Sequence, residues 1–212
     1  KWLGGDVPRL EWNTPGARFF ETGLDRGVFY PDDGPGVPWN GLTSVSESDE
    51  SLGGTVSAFD GTEYVSLIHR SFYEAEVSAF SFPDSMKSIN GEVDALPGFV
   101  LTGQSREAAD FSYRTFENEE DYKIHFVWNA IFSLKSKTRE TISDDLEALE
   151  FKWRVAANPP TALYWHRTAH MVIDSATTEP DELSAVEDLI YGTNATDPTF
   201  PTQLDLLLLI VN

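Results

Sequence analysis

The 212-residue sequence contains no cysteine. That absence excludes disulfide bonds, thiolate metal centres and cysteine nucleophiles. Cations are also scarce, since 15 Lys and Arg stand against 35 Asp and Glu, with 4 His, for a formal net charge of −20. Nucleic-acid recognition and binding to anionic membranes both depend on positive charge, so the composition disfavours both functions.

Long hydrophobic runs are missing as well. The longest, Leu206 to Val211, is far shorter than the ~20 residues that span a bilayer, so no membrane partner is expected. Aromatic residues are abundant instead, with 6 Trp, 7 Tyr and 14 Phe in a chain that is 41% hydrophobic. This composition favours one folded domain with a real core.

Strict alternation of apolar and polar residues predicts several strands. The clearest case is 122–135, where the apolar residues occupy the even positions, and the pattern recurs over 149–155 and 163–173. A period of two indicates strands that are buried on one face. The core residues predicted from this parity are Phe126, Trp128, Phe132, Phe151, Trp153 and Val155.

Turn residues and shorter patterns organise the rest of the chain. Residues 1–16 are predicted to be an N-terminal arm, and residues 17–212 a single β domain. Further predictions are strands at 17–22, 28–30 and 72–82, a long hairpin near 39–60 with an exposed tip at 46–54, a loop at 83–98, one or two strands within 99–116, and an end strand after 198.

One helix is predicted near 180–191. Thr178 is the expected cap, Pro180 suits the first turn, and Gly192 is expected to end the helix. Leu183, Val186 and Ile190 recur at helical spacing on one face. The predicted fold is therefore mainly β: a β-sandwich or barrel with one flanking α-helix, an extended N-terminal arm and a hairpin.

No catalytic or metal-binding pattern emerges from the sequence. His166 and His170 are four apart, but in a strand such residues lie ~13 Å apart, and His69 and His125 lack ligand-like neighbours in the sequence. Asp144-Asp145 and the acids of 117–121 fall in polar turns, and no serine lies in a nucleophile elbow. We therefore predict no catalytic residue, no cofactor and no metal site.

Several segments, in this order along the chain, resemble the major tail proteins (tail-tube subunits) of long-tailed phages that infect actinobacteria. These segments are RFFETGLDRGVFYP (18–31), VPWNGLTSVSES (37–48), YVSLI (64–68), AEVSAFSFPDSM (75–86), LPGFVLTGQSREAADFSYRT (96–115) and DELSAVEDLIYGTNATDPTFP (181–201). Together they cover most of the chain from Arg18 onward. The tip after Trp39 departs from the family in being short and unusually acidic.

The resemblance implies a virion structural protein without catalytic residues or cofactors. It implies homohexameric rings that stack into a tube, a lumen through which the genomic DNA passes, and assembly in the host cytoplasm. The partners implied are further copies of the chain, the tape-measure protein in the lumen, and the tail terminator and tail-tip proteins.

An acidic bore would repel DNA phosphate, so the genome would not adhere during passage. Glu74 and Glu76 alternate with an apolar strand face and are the predicted lumen-facing acids. Two alternatives remain at this stage: a distal-tail or tube-adaptor subunit with a related fold, and a carbohydrate-binding minor tail protein that uses exposed Trp and Tyr. A third alternative, a hydrolase with a β fold, is the weakest, because the sequence shows no set of catalytic residues.

Overall fold

The computed structural model describes residues 21–32, 34–50, 53–57, 63–68, 72–117, 120–136, 149–160 and 167–211. Its strands are β1 (Glu21–Tyr30), β2 (Val37–Pro38), β3 (Leu42–Glu50), β4 (Gly53–Ser57), β5 (Glu63–Ile68), β6 (Phe72–Ala79), β7 (Val93–Leu96), β8 (Phe99–Leu101), β9 (Ala109–Glu117), β10 (Asp121–Ser136), β11 (Phe151–Ala157) and β12 (His170–Asp174). Its helices are α1 (Pro180–Tyr191) and α2 (Gln203–Val211), with a short 3₁₀ turn at Asp84–Lys87.

Eight strands form one antiparallel sheet in the order β2-β1-β9-β10-β11-β6-β3, and β12 also pairs with β10. Strand β1, near one end of this order, lies close to β3 at the other end, and the amide of Trp39, between β2 and β3, donates a hydrogen bond to the carbonyl of Gly27 at 2.7 Å. A Cβ at Gly27 would lie 2.8 Å from Leu42 Cδ2, so glycine permits this approach. The predicted mainly β fold with a flanking helix is confirmed.

The sheet separates two hydrophobic clusters. On one face, side chains from β1, β6, β9, β10 and β11 form a strand-enclosed cluster with Trp39, Met86 and Ile89. On the other face, side chains from β1, β10 and β12 pack against α1 and α2 in a helix-covered cluster. Adjacent residues of β1 show the division, since Phe29 belongs to the first cluster and Val28 and Tyr30 to the second.

Strand β10 takes part in both clusters because a β-bulge shifts its side-chain parity. Its register against β9 skips from Val127 to Ala130, and Asn129 between them has φ +50°. Before the bulge, Phe126 and Trp128 face the helix-covered cluster; after it, Phe132 faces the strand-enclosed cluster. The prediction that these three residues share one face is therefore wrong, although all three are buried.

The other predicted core residues lie mainly where the pattern placed them. Trp153 and Val155 are fully buried, and Phe151 is half-buried at the margin of the strand-enclosed cluster. The indole of Trp153 packs edge-on against Trp39 and Phe82, and its Nε1 donates to Asn90 Oδ1 at 2.8 Å.

The N-terminal half of the sheet differs from the prediction in its boundaries. The described end of the strand expected at 17–22 and the strand expected at 28–30 belong to one strand, β1, with register shifts near Gly23 and Arg26. Gly23 and Arg26 both have positive φ, and these irregularities hide the period of two. Residues 1–20 lie outside the described part of the chain, so the arm at 1–16 stays a prediction.

The long hairpin reaches further than its predicted range of 39–60. Residues 46–50 belong to β3 rather than to an exposed tip, and Ser46 and Ser48 pair with Glu76 and Glu74 of β6. Strands β4 and β5 form a second antiparallel ladder. The acidic stretch that suggested a loop is therefore part of an edge strand.

The segment 83–98, predicted to be a loop, contains the 3₁₀ turn and β7, which pairs with β8. Pro97-Gly98 forms the connection, with Gly98 at φ +85°, the position that glycine takes in a type II turn. The Pro-Gly pair is a turn signal in the sequence that is consistent with this hairpin.

The chain end after 198, predicted to be a strand, is helix α2. Thr202 and Asp205 cap each other: the Asp205 amide donates to Thr202 Oγ1 at 3.2 Å, and the Thr202 amide donates to Asp205 Oδ2 at 3.1 Å. This reciprocal pair marks a helix start. No helix in the described part of the chain is both long and apolar enough to cross a membrane.

The predicted helix α1 is present and ends at Gly192 as expected, but its cap differs. Glu179 occupies the N-cap position without a side-chain cap hydrogen bond, while the Thr178 hydroxyl donates to the carbonyl of Asp174 at 2.8 Å. Val186 and Ile190 are fully buried in the helix-covered cluster.

Trp153→Ala should lower the free energy of unfolding by about 3–5 kcal/mol, because it removes a fully buried indole and leaves a cavity. Urea unfolding followed by far-UV circular dichroism measures the loss. Phe80→Ala is the matched control, since that ring is 53% exposed and its removal should cost little. Equal losses for the two variants would contradict the assigned core.

The Asn129 side chain is exposed, so substitutions there change the backbone preference at the bulge without changing the core. Asn129→Gly should preserve stability, whereas Asn129→Val should lower the free energy of unfolding by about 1–2 kcal/mol, because a β-branched residue resists positive φ. Urea unfolding of the two variants gives the comparison. Equal stability for Val and Gly would show that β10 carries no bulge there.

Candidate functional site

Three titratable side chains that are far apart in sequence meet above the strand-enclosed cluster. Glu47 comes from β3, His125 from β10 and His170 from the start of β12. Nδ1 of His125 lies 3.1 Å from Nε2 of His170 and 3.5 Å from Oε1 of Glu47. We call these three residues the Glu–His cluster.

Tyrosines and a threonine hold the Glu–His cluster in place. The Tyr113 ring stacks on His125, with centroids 4.5 Å apart and planes 8° apart, and its hydroxyl donates to Oε1 of Glu47. Thr115 Oγ1 lies 3.0 Å from Nε2 of His125. The Tyr73 ring packs on His170 at 4.8 Å. Each imidazole is therefore fixed by a ring face and by polar contacts at its edges.

Burial sets the protonation of the cluster. It lowers the pKa of His125 to about 4, and the neighbouring His170 lowers that pKa further. Burial also lowers the pKa of His170, against the opposing effect of Glu47. Burial raises the pKa of the Tyr113 phenol, and nearby Tyr73 and Glu47 add to that increase. Both imidazoles are consequently neutral near pH 7.

The cluster lines a cleft of about 670 Å³. Glu21, Lys123 and Asp174 also line the cleft, and Lys123 Nζ pairs with Glu21 at 2.6 Å and with Glu117 at 3.4 Å. Neutral imidazoles beside a carboxylate can share a proton or bind a cation.

Sequence spacing could not reveal this arrangement. The alternation of 122–135 predicts that His125 lies on the polar face of its strand, and the only partner near His170 in the sequence is His166, which lies outside the described residues. His125 shares a face with Val127 by simple alternation, and the bulge at Asn129 brings Phe132 onto that same face. Strand β12 brings His170 beside His125 through the Val127–His170 pairing.

The predicted lumen acids lie on a mixed-charge surface. Glu74 Oε2 accepts from Arg154 Nη2 at 2.5 Å, and Glu76 Oε2 accepts from Lys135 Nζ at 2.5 Å. The hydrogen bond from Lys135 lowers the pKa of Glu76. Both acids project from the outer face of β6, opposite the strand-enclosed cluster. Arg154 comes from the adjacent strand β11 and Lys135 from β10, one strand further, so this surface carries less negative charge than the acids alone suggest.

A second surface is strongly apolar. Five large side chains of the β7–β8 hairpin are exposed: Val93, Leu96, Phe99, Val100 and Leu101. Leu96 and Phe99, on either side of the turn, are 64% and 67% exposed. Clusters of large exposed apolar residues mark surfaces that bind another molecule.

Comparison with known proteins finds solved structures with a similar fold but no protein related in sequence. No protein-family model matches the chain, and no curated protein matches it. A chain of the extended sheath–tube complex of an extracellular contractile injection system (PVC) is 17% identical, with 78% of this chain and 93% of that chain covered and a TM-score of 0.39.

Two further similar structures come from the anti-feeding prophage. One is its tube-terminating cap, at 15% identity, with 80% and 97% of the two chains covered and a TM-score of 0.41. The other is a chain of its baseplate, at 8% identity, with 77% and 97% covered and a TM-score of 0.40. At these identities and TM-scores the likeness carries no conclusion about what this chain does.

Proposed function

We propose that the chain is the tail-tube subunit of a long-tailed phage, a non-catalytic virion protein that forms homohexameric rings. The rings stack into a tube that conducts the genome. The ordered run of segments from Arg18 to Pro201 that resembles actinophage major tail proteins supports this proposal. The tape-measure protein within the tube, and terminator and tail-tip proteins at its ends, are the partners proposed with it.

The exposed apolar hairpin β7–β8 is the observation that supports self-assembly. A chain with a formal charge of −20 repels its own copies, so association needs buried apolar area to offset that repulsion. Leu96 and Phe99 supply such area at the tip of a projecting two-stranded ladder. We propose a second copy of this chain as the occupant of that surface, in a head-to-tail contact that closes into a ring.

The burial of tryptophan weighs against the carbohydrate-binding alternative. Sugar-binding platforms are exposed aromatic rings, whereas Trp39, Trp128 and Trp153 are all at least 95% buried. Trp128 Nε1 donates to the carbonyl of Pro201 and Trp39 Nε1 to the carbonyl of Ser81, as expected for core residues. Within the described residues no tryptophan is left as a stacking surface.

Phe99→Asp combined with Leu96→Asp should abolish ring and tube formation while leaving the subunit folded, because both side chains are exposed in the single chain. Size-exclusion chromatography with light scattering and negative-stain microscopy measure assembly, and circular dichroism checks the fold. Phe99→Leu, which keeps an apolar side chain, is the matched control and should assemble normally. A monomeric wild-type chain, or a double variant that assembles like the wild type, would contradict the proposal.

The proposal that Glu74 and Glu76 face the lumen has its own test. Because the chain has no cysteine, Glu76→Cys introduces a unique thiol. In assembled tubes this thiol should react with a small maleimide that diffuses along the bore but not with a bulky polymer-linked maleimide. Asp181→Cys, on the exposed face of α1, is the comparator and should react with both. Equal reaction of the Glu76→Cys thiol with both reagents in tubes would place it on the outer wall.

A further inference from the structure

The Glu–His cluster has the composition and spacing of a transition-metal site. In a tetrahedral zinc centre with bonds of about 2.0–2.1 Å, two ligand atoms are separated by about 3.3 Å. Nδ1 of His125 lies 3.1 Å from Nε2 of His170 and 3.5 Å from Oε1 of Glu47. One ligand atom from each of the three residues lies within 4.8 Å of the others. We propose that Glu47, His125 and His170 bind one Zn²⁺ ion per chain.

The donor set favours zinc over the alkaline-earth cations. Mg²⁺ and Ca²⁺ prefer oxygen ligands, whereas two imidazoles with one carboxylate suit Zn²⁺ and its first-row neighbours. A zinc ion held by three protein ligands would have a fourth coordination position for water. The acids Glu21 and Asp174 in the same cleft favour entry of a cation, and Lys123 in the cleft is already paired with Glu21.

Zinc binding would change which nitrogen of one imidazole carries the proton. In the metal-free pair one proton lies between Nδ1 of His125 and Nε2 of His170, which meet at 3.1 Å. Zinc needs both of these nitrogens unprotonated, so each ring keeps its proton on its other nitrogen. For His125 that nitrogen is Nε2, 3.0 Å from Thr115 Oγ1; for His170 it is Nδ1, 3.9 Å from Oε2 of Glu47. Binding therefore needs a change of tautomer in one of the two rings.

The surrounding residues act as outer-shell partners. Tyr113 donates its hydroxyl to the Glu47 carboxylate and stacks on His125, so it orients two of the three ligands. Such outer-shell hydrogen bonds typically change metal affinity by about 10–100-fold. Since Glu47 lies on the edge strand β3, and His125 and His170 lie on β10 and β12, a bound ion would tie the long hairpin to the centre of the sheet.

The test is titration of ZnCl₂ into the full, chelator-treated wild-type chain by isothermal titration calorimetry in a non-coordinating buffer near neutral pH. We expect one saturable site per chain in the micromolar range, and visible absorption bands of a nitrogen-ligated centre when CoCl₂ replaces zinc. Glu47→Gln and His170→Gln should each weaken binding at least tenfold, and Tyr113→Phe by about 10–100-fold. Glu76→Gln, which removes a carboxylate from the neighbouring strand β6, should leave binding unchanged.

Circular dichroism establishes that each variant is folded. If His170→Gln does not fold, Glu47→Gln and Tyr113→Phe decide the question, because Glu47 is half-exposed and phenylalanine keeps the ring of Tyr113. Absence of a saturable site in the wild-type chain overturns the proposal. So does zinc binding that Glu47→Gln and Tyr113→Phe leave at the strength of the Glu76→Gln control, since the ion would then bind elsewhere.

Discussion

Strand β10 changes side-chain parity at Asn129, and the arrangement of both cores depends on that change. The bulge lets one sixteen-residue strand support the helix-covered cluster through Phe126 and Trp128 and the strand-enclosed cluster through Phe132. Its position also divides the strand between two partners, because β12 pairs with 123–127 and β11 pairs from Ala130 onward. The Asn129 amide donates to Asp110 Oδ1 at 2.7 Å, which anchors the bulge to β9.

The same bulge explains why the Glu–His cluster exists. In an unbroken strand, His125 and Phe132 would lie on opposite faces because their numbers differ by seven. With one extra residue between them, both face the strand-enclosed side, and the pairing of β10 with β9 and β12 places His125 against Tyr113 and His170. A histidine that alternation assigns to solvent is thereby desolvated, and its pKa falls.

The parts of the fold that the sequence could predict are those with an uninterrupted local signal. Alternation located β10 and β11, and the proline at 180 with the glycine at 192 bounded α1. Alternation does not predict structure that depends on a bulge or on contacts between distant strands. The irregularities of β1 made it look like two strands, and the contact between Glu47 and His125 leaves no local pattern. The acids of 47–50 suggest a loop, yet they belong to β3, because an edge strand can carry charge along its exposed side. Helix α2 was missed because a run of leucines has no period, although Thr202 and Asp205 marked its start.

The charge of the chain constrains any assembly that it forms. Glu74 and Glu76 are paired with Arg154 and Lys135, and Glu150 with Lys152, so this face of the sheet contains three acids and three cations within these pairs. A face of that kind is close to neutral, so if it lines a bore, DNA would slide past paired charges rather than a strongly repelling wall. A strongly negative bore would then require acids from elsewhere in the chain. In such an assembly, repulsion between copies would depend on where those remaining acids lie, and salt would screen it. Attraction would depend on apolar surfaces such as β7–β8, whose burial does not rely on charge.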